Sequence, residues 1–212
     1  MREIKNIILD LGVVILNVDY EKTIHAFTKL GVANAADIYS KAQQDPVFDQ
    51  LEKGAISPSV FCDHIRAIIQ DTSVTDAAVH RAWNAMLGDL PLERLALLRK
   101  VKGRYRLFLL SNTNAVHLPT CKRIIKKEHG LEGLSSIFEK EYYSHLLGMR
   151  KPEQMVFDHV INENRLNREE TLFVDDSSQH VEGGNRAGIR SVLLESDKTL
   201  LDLFDSKGVW IG

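Results

Sequence analysis

The chain has 212 residues, 44% of them hydrophobic, with 27 Lys and Arg against 29 Asp and Glu for a formal charge of −2. That apolar content builds one large domain or a core carrying an insertion, and the near-balanced charge excludes the basic footprint of a nucleic-acid binder. Cys62 and Cys121 fit no disulfide framework, and no two of the eight histidines have a zinc-site spacing, so reduced thiols and a cytoplasmic setting are expected.

The N-terminus "MREIKNIILD" has only a short apolar run and no small-residue cleavage site, unlike a signal peptide. No apolar stretch approaches the roughly 18–20 residues of a membrane span, so a soluble protein is expected. Residues 4–10 read as a strand buried on both faces, with Asp10 at its end. From Tyr20 to Leu87 the pattern is helical. "YEKTIHAFTKLG" ends at Gly31 like a capped helix, "SPSVFCDHIRAII" has Ser57 as N-cap and Pro58 at the first helical position, and "TDAAVHRAWNAML" opens on Thr75.

After Pro91 helices and strands alternate. "LERLALLRKVKG" predicts a helix, "YRLFLLS" a strand, "AVHLPTCKRIIKKEHG" a helix despite Pro119, and "EQMVFDHVINEN" another helix. "TLFVDD", "QHVEGGNRAG" and "RSVLLE" then predict strand, helix, strand. This alternation implies an α/β fold, a Rossmann-like parallel sheet with helices on both faces. The first strand needs that sheet to bury its two faces. The expected division is a core of residues 1–16 and 91–212 and an inserted all-helical cap of residues 17–90.

Three apolar strands end in polar residues: Asp10, then Ser111 and Asn112, then Asp175, Asp176 and Ser177. Ligands of open parallel sheets bind beyond the carboxyl ends of the strands, so these ends are expected to converge. Singly, each has a blander reading as a turn or cap residue. The adjacent Asp175 and Asp176 are less bland, because neighbouring carboxylates repel without a cation. With Asp10 they gather about three negative charges, which one lysine cannot balance but a divalent cation plus one lysine can. Lys151 in "GMRKP" is the candidate lysine, placed before a helix start where the dipole disfavours a cation.

Together these motifs resemble the haloacid dehalogenase superfamily from end to end: Asp10, Ser111 in "LLSNT", Lys151 in "GMRKP", and Asp175–Asp176 in "FVDDS". The helical insertion looks like that family's first type of cap, and "DLG", "LSNTN" and "GMRKP" are similar to its α-D-glucose-1-phosphate phosphatase-like branch. The resemblance implies a phosphatase of a small phosphorylated metabolite, possible substrates including sugar phosphates. In it Asp10 attacks phosphorus and forms an aspartyl-phosphate that water hydrolyses. It implies Mg²⁺ held by Asp10, Asp176 and the Gly12 carbonyl, with Asp175 behind them. Ser111, the Asn112 backbone amide and Lys151 would hold the phosphoryl oxygens.

Gly12 departs from the familiar pattern, which has a second aspartate two residues after the nucleophile. The glycine keeps a carbonyl for a metal but lacks the proton donor for the leaving group, a contribution typically of about 10²–10⁴ in rate. A good leaving group, a proton from water or from Asp19, or slow turnover would each accommodate the loss. Asp19 also reads as an N-cap, and restoring the acid by Gly12→Asp need not raise the rate, since its side chain could crowd the site. Glu52 and Lys53 in "FDQLEKGAIS" read equally as substrate contacts or as a solvated turn. The rival functions are a metal-independent 2-haloacid dehalogenase, to which a clustered acidic pair brings little, and a non-catalytic phosphate-binding protein. A signalling receiver domain also groups acids with a lysine, but the insertion after the first strand argues against it.

Overall fold

The structure, a computed structural model, describes residues 2–33, 35–38 and 46–212. The first strand, β1 (Asn6–Leu9), is followed by α1 (Tyr20–Lys29), α2 (Ala35–Ile38), α3 (Pro46–Glu52), α4 (Pro58–Ile69) and α5 (Asp76–Trp83). Then come α6 (Leu92–Lys102), β2 (Arg106–Ser111), α7 (His117–His129), β3 (Lys140–Tyr143), α8 (Ser144–Leu147) and α9 (Gln154–Glu163). The chain closes its sheet with β4 (Thr171–Asp175), α10 (Ser178–Arg186) and β5 (Arg190–Leu193).

The five strands form one parallel sheet in the order β3-β2-β1-β4-β5. All four residues of β1 are buried, because it lies between β2 and β4. Its side chains divide with the two-residue period of a strand. Ile7 and Leu9 join Leu107, Leu109, Leu172 and Val174 in a cluster covered by α6 and α7. Ile8 joins Phe108, Leu110 and Phe173 on the other face, against Val156, Phe157 and Val160 of α9. Each face therefore has its own core, which is why the first strand shows so little alternation.

The helical block from α1 to α5 has a third cluster, built on Phe27, Phe48, Phe61 and Trp83. The Phe48 and Trp83 rings lie 4.8 Å apart and Phe48 and Phe61 5.3 Å. Ser57 accepts from the Val60 amide at the start of α4, and Thr75 from the Ala78 amide at the start of α5, as their cap positions predict. The chain enters and leaves this block through adjacent segments. Asn17 N–H donates to Asp89 O at 2.9 Å and Gly88 N–H to Asn17 O at 2.8 Å. A Cβ at Gly88 would lie 2.8 Å from the Asn17 oxygen, so this close crossing requires glycine.

Strand β3 has no counterpart in the sequence reading. It is four residues long, sits at the sheet edge and opens on exposed Lys140, too short and polar to carry a periodic signal. Among the described residues, no helix is long and apolar enough to cross a membrane.

Candidate active site

Asp10, Ser111 and Asp175 stand at the carboxyl ends of three neighbouring strands, β1, β2 and β4. Parallel register places these ends side by side: Leu9 pairs with Leu109 and Val174, so the residues beyond them emerge at one edge. The Asp10 N–H donates to Val174 O at 3.0 Å, extending the ladder to the aspartate itself.

Lys151 is fully buried and comes from the loop before α9. Its Nζ donates to Asp10 Oδ1 at 2.5 Å and to Asp175 Oδ2 at 2.6 Å. The Asn112 side chain clasps its backbone, donating to Lys151 O and accepting from Lys151 N, both at 2.9 Å. From sequence only the Asn112 backbone amide has an expected role; the side chain anchors the lysine. The other Asp175 oxygen accepts from the Ser177 amide at 2.8 Å and lies 3.0 Å from His180 Nδ1.

The two buried carboxyls titrate in opposite directions. Burial pushes Asp10 up to about 7, with Asp175 and Asp176 adding to the rise and Lys151 opposing it. Burial also works against ionised Asp175, but Lys151 and His180 hold it below the usual carboxylate range. Lys151 itself is held above its ordinary value by Asp10 and Asp175 despite burial. Asp10, Asp175 and Asp176 bring ligand oxygens within 4.8 Å of one another. An all-oxygen donor set of three carboxylates facing a single ammonium suits a hard divalent cation such as Mg²⁺.

Beside the cluster lies a cavity of about 510 Å³. Asp10, Gly12, Ser111, Asn112, Lys151 and Asp176 line it from the sheet, and Val18, Tyr20, Asp49, Glu52 and Met86 from the helical block. Buried Asp175 is not among the lining residues, which puts it behind Asp10 and Asp176. At Gly12 a Cβ would be 3.5 Å from Val18 and 3.8 Å from Asp10 Oδ2, ordinary contacts, so the expected crowding does not begin at the first side-chain atom. Asp19 precedes α1 but makes no capping hydrogen bond, pairs with Lys22 at 3.6 Å and does not line the cavity.

Several lining groups were not singled out in the sequence. Arg150 pairs with Asp49 and, at 3.1 Å, with Glu52, joining the sheet domain to α3. Lys53 pairs with Glu153 at 2.6 Å and is not a lining residue, whereas Glu52 is. His117 stacks on Trp83 at 4.6 Å and sits 2.8 Å from Asn84 Oδ1; burial depresses its imidazole to about 3. Only Arg150, adjacent to Lys151, had a positional clue. His117 is brought in by tertiary packing against Trp83 and Asn84.

Sheet order, strand-end acids and buried lysine define a Rossmann-like enzyme with a carboxylate-centred site. The chain belongs to the haloacid dehalogenase-like hydrolase family, whose model matches residues 111–194. D-ribitol-5-phosphate phosphatase of Bacteroides thetaiotaomicron is 32% identical over 190 residues, covering 89% of this chain and 90% of that protein. A haloacid dehalogenase family enzyme of the same organism, an Asp-to-Ala variant in complex with magnesium and inorganic phosphate, superposes with a TM-score of 0.88 at 34% identity, over 96% of this chain and all (100%) of that one. A family hydrolase from Porphyromonas gingivalis gives a TM-score of 0.84 at 28% identity over 95% of this chain and 96% of its own.

Proposed function

We propose that the chain is a Mg²⁺-dependent phosphatase of a small phosphorylated metabolite, a sugar or sugar-alcohol phosphate, acting in the cytoplasm. The carrying observation is electrostatic: three carboxylates bring oxygens within 4.8 Å of one another, and two of them, Asp10 and Asp175, pair with the buried Lys151 ammonium. That excess of about two negative charges matches one divalent cation. The names of the similar proteins, a ribitol-phosphate phosphatase and a structure holding magnesium and phosphate, support the same reading.

Asp10, Asp176 and the Gly12 carbonyl would hold the ion, with Asp175 fixing Lys151 behind them. Bound Mg²⁺ supplies the charge neutralisation that lets an anionic carboxylate approach an anionic phosphate. Asp10 attacks phosphorus, an Asp10 oxygen–phosphorus bond forms and the ester P–O bond breaks. Lys151 has three donors, two of them committed to Asp10 and Asp175, which leaves one for a phosphoryl oxygen. Ser111 and the Asn112 amide take the others, stabilising charge as it shifts in transfer. Water then attacks the aspartyl-phosphate, releasing inorganic phosphate and restoring Asp10.

Gly12 offers no proton and Asp19 lies away from the cavity. Neither residue protonates the leaving oxygen, so a basic alkoxide such as that of a sugar alcohol takes its proton from water or from another group lining the cavity. Residues 17–90 form a cap whose Asp49 and Glu52 face the cavity. Both pair with Arg150, which also lines the cavity, so this wall offers guanidinium donors and carboxylate acceptors to the hydroxyls of a polyhydroxylated monophosphate.

The test is phosphate release from D-ribitol 5-phosphate, α-D-glucose 1-phosphate and p-nitrophenyl phosphate, with Mg²⁺ and with EDTA. Release from at least one, abolished by EDTA, is expected. Halide release from a 2-haloacid in EDTA, with no phosphate release, would replace the reading by the dehalogenase.

A further inference from the structure

The turn after Gly12 holds one residue in a conformation that its side chain does not favour. Val13 has φ +62°, a left-handed backbone that a β-branched residue seldom adopts. A tight turn closes over it, with Val14 N–H donating to Gly12 O at 2.6 Å. Ile15 and Leu16 N–H both donate to Leu11 O, at 3.0 and 2.8 Å. The carbonyls of Val13 and Ile15 find no backbone donor among these bonds. Both instead accept from Arg94 Nη1, at 2.9 and 3.3 Å.

Arg94 is an unusual residue for its place. It is buried in the first turn of α6, where the helix dipole disfavours a cation, and no carboxylate forms an ion pair with it among the described residues. A buried guanidinium in such a place needs carbonyl oxygens to bond, and the loop after Asp10 supplies them. Strained backbone persists only where its surroundings over-determine it. Here Arg94 joins the three backbone hydrogen bonds of the turn, and it is the one side chain that bonds the turn's carbonyls among the described residues.

We propose that Arg94 is a positioning residue for the cation site. By holding Val13 O and Ile15 O it keeps the left-handed turn at Val13, and the turn sets the direction of the Gly12 carbonyl beside Asp10. This rests on the Mg²⁺ reading given above. Arg94 touches neither substrate nor ion; it acts through two carbonyls and one backbone angle.

The test is calorimetric titration of Mg²⁺ into the resting wild type, Arg94→Met, Arg94→Lys and the double variant Arg94→Met/Val13→Gly. Each is measured at a temperature where circular dichroism shows it folded. Arg94→Met is expected to bind Mg²⁺ about tenfold or more weakly, the usual scale for a group that orients a metal ligand. Arg94→Lys, whose single ammonium lacks the planar fork, should show a loss in the same direction. It carries the test where Arg94→Met does not fold. Glycine adopts φ near +60° without a side-chain penalty, so Val13→Gly should restore most of the affinity. Mg²⁺ affinity within twofold of wild type in a folded Arg94 variant overturns the proposal. So does a loss that Val13→Gly leaves unchanged, which would mark Arg94 as general support for the fold. A wild type that binds no Mg²⁺ contradicts the parent reading instead, and separates the two failures.

Discussion

Replacing Asp10 by asparagine is expected to stabilise the cation-free protein while removing the proposed nucleophile. Asp10 is pushed from 3.8 to about 7, chiefly by burial. At pH 8 in EDTA, ionising it costs the folded state about 4 kcal/mol relative to the unfolded chain, at 1.36 kcal/mol per unit. At pH 5 the folded carboxyl is protonated and the cost falls to about 2 kcal/mol. The sign follows from the raised value: stability gained by holding a proton is full below the unfolded value and lost as pH rises through about 7. Asparagine keeps an acceptor for Lys151, and Asp175 still balances the ammonium at 2.6 Å. Urea unfolding in EDTA should therefore show Asp10→Asn more stable than wild type by about 2–4 kcal/mol at pH 8, with a smaller gap at pH 5. Saturating Mg²⁺ should narrow the gap by stabilising wild type, by about 3 kcal/mol at a hundredfold excess over Kd. A variant no more stable than wild type at pH 8, or a gap that does not shrink toward pH 5, would refute the electrostatic account of the site.

Gly54 has φ +65° and an added Cβ would collide with the His145 carbonyl, so Gly54→Ala should destabilise by about 2–4 kcal/mol in urea. Wild-type stability there would mean that the turn after α3 does not dock on α8. His117 is buried and neutral, depressed from 6.5 to about 3, so the unfolded chain takes up its proton first as pH falls. Stability from this site is complete above pH 6.5 and lost toward pH 3, about 2 kcal/mol of it by pH 5. His117→Gln should flatten that slope between pH 7 and 5, and equal slopes would exclude His117 as its source. Gly12→Asp should fold, since its Cβ has ordinary room, while adding a fourth carboxyl beside Asp10; unfolded protein would contradict that geometry.

The sheet was legible because buried parallel strands are written as short apolar runs, and Asp10, Ser111 and Asp175 interrupt or end three of them. The caps at Ser57 and Thr75 were legible for a local reason, since each side chain bonds a backbone amide three residues on. Edge strand β3 was not, because only two of its four residues are buried and no pattern survives at that length. The acidic cluster was foreseen from charge counting. The means of holding it were not: the Asn112 clasp, the His180 bond to Asp175 and the Arg150 link to α3 join residues 39, 5 and about 100 positions apart. The first and last of these pairs exist only once the sheet has placed its strand ends together, whereas the His180 bond is local, made across the turn from β4 into α10. Arg94 is the sharpest instance. It reads as one more helical surface charge, yet it bonds carbonyls 79 and 81 residues earlier in the chain.

The central claim is that Asp10 is the nucleophile of a Mg²⁺-dependent phosphatase, and comparing wild type with Asp10→Asn at saturating Mg²⁺ tests it most directly. Phosphate release from whichever monoester wild type hydrolyses fastest should fall by at least about 10³-fold in the variant, since no second carboxylate stands in its place. Phosphate release from folded Asp10→Asn within about twofold of wild type would contradict the account.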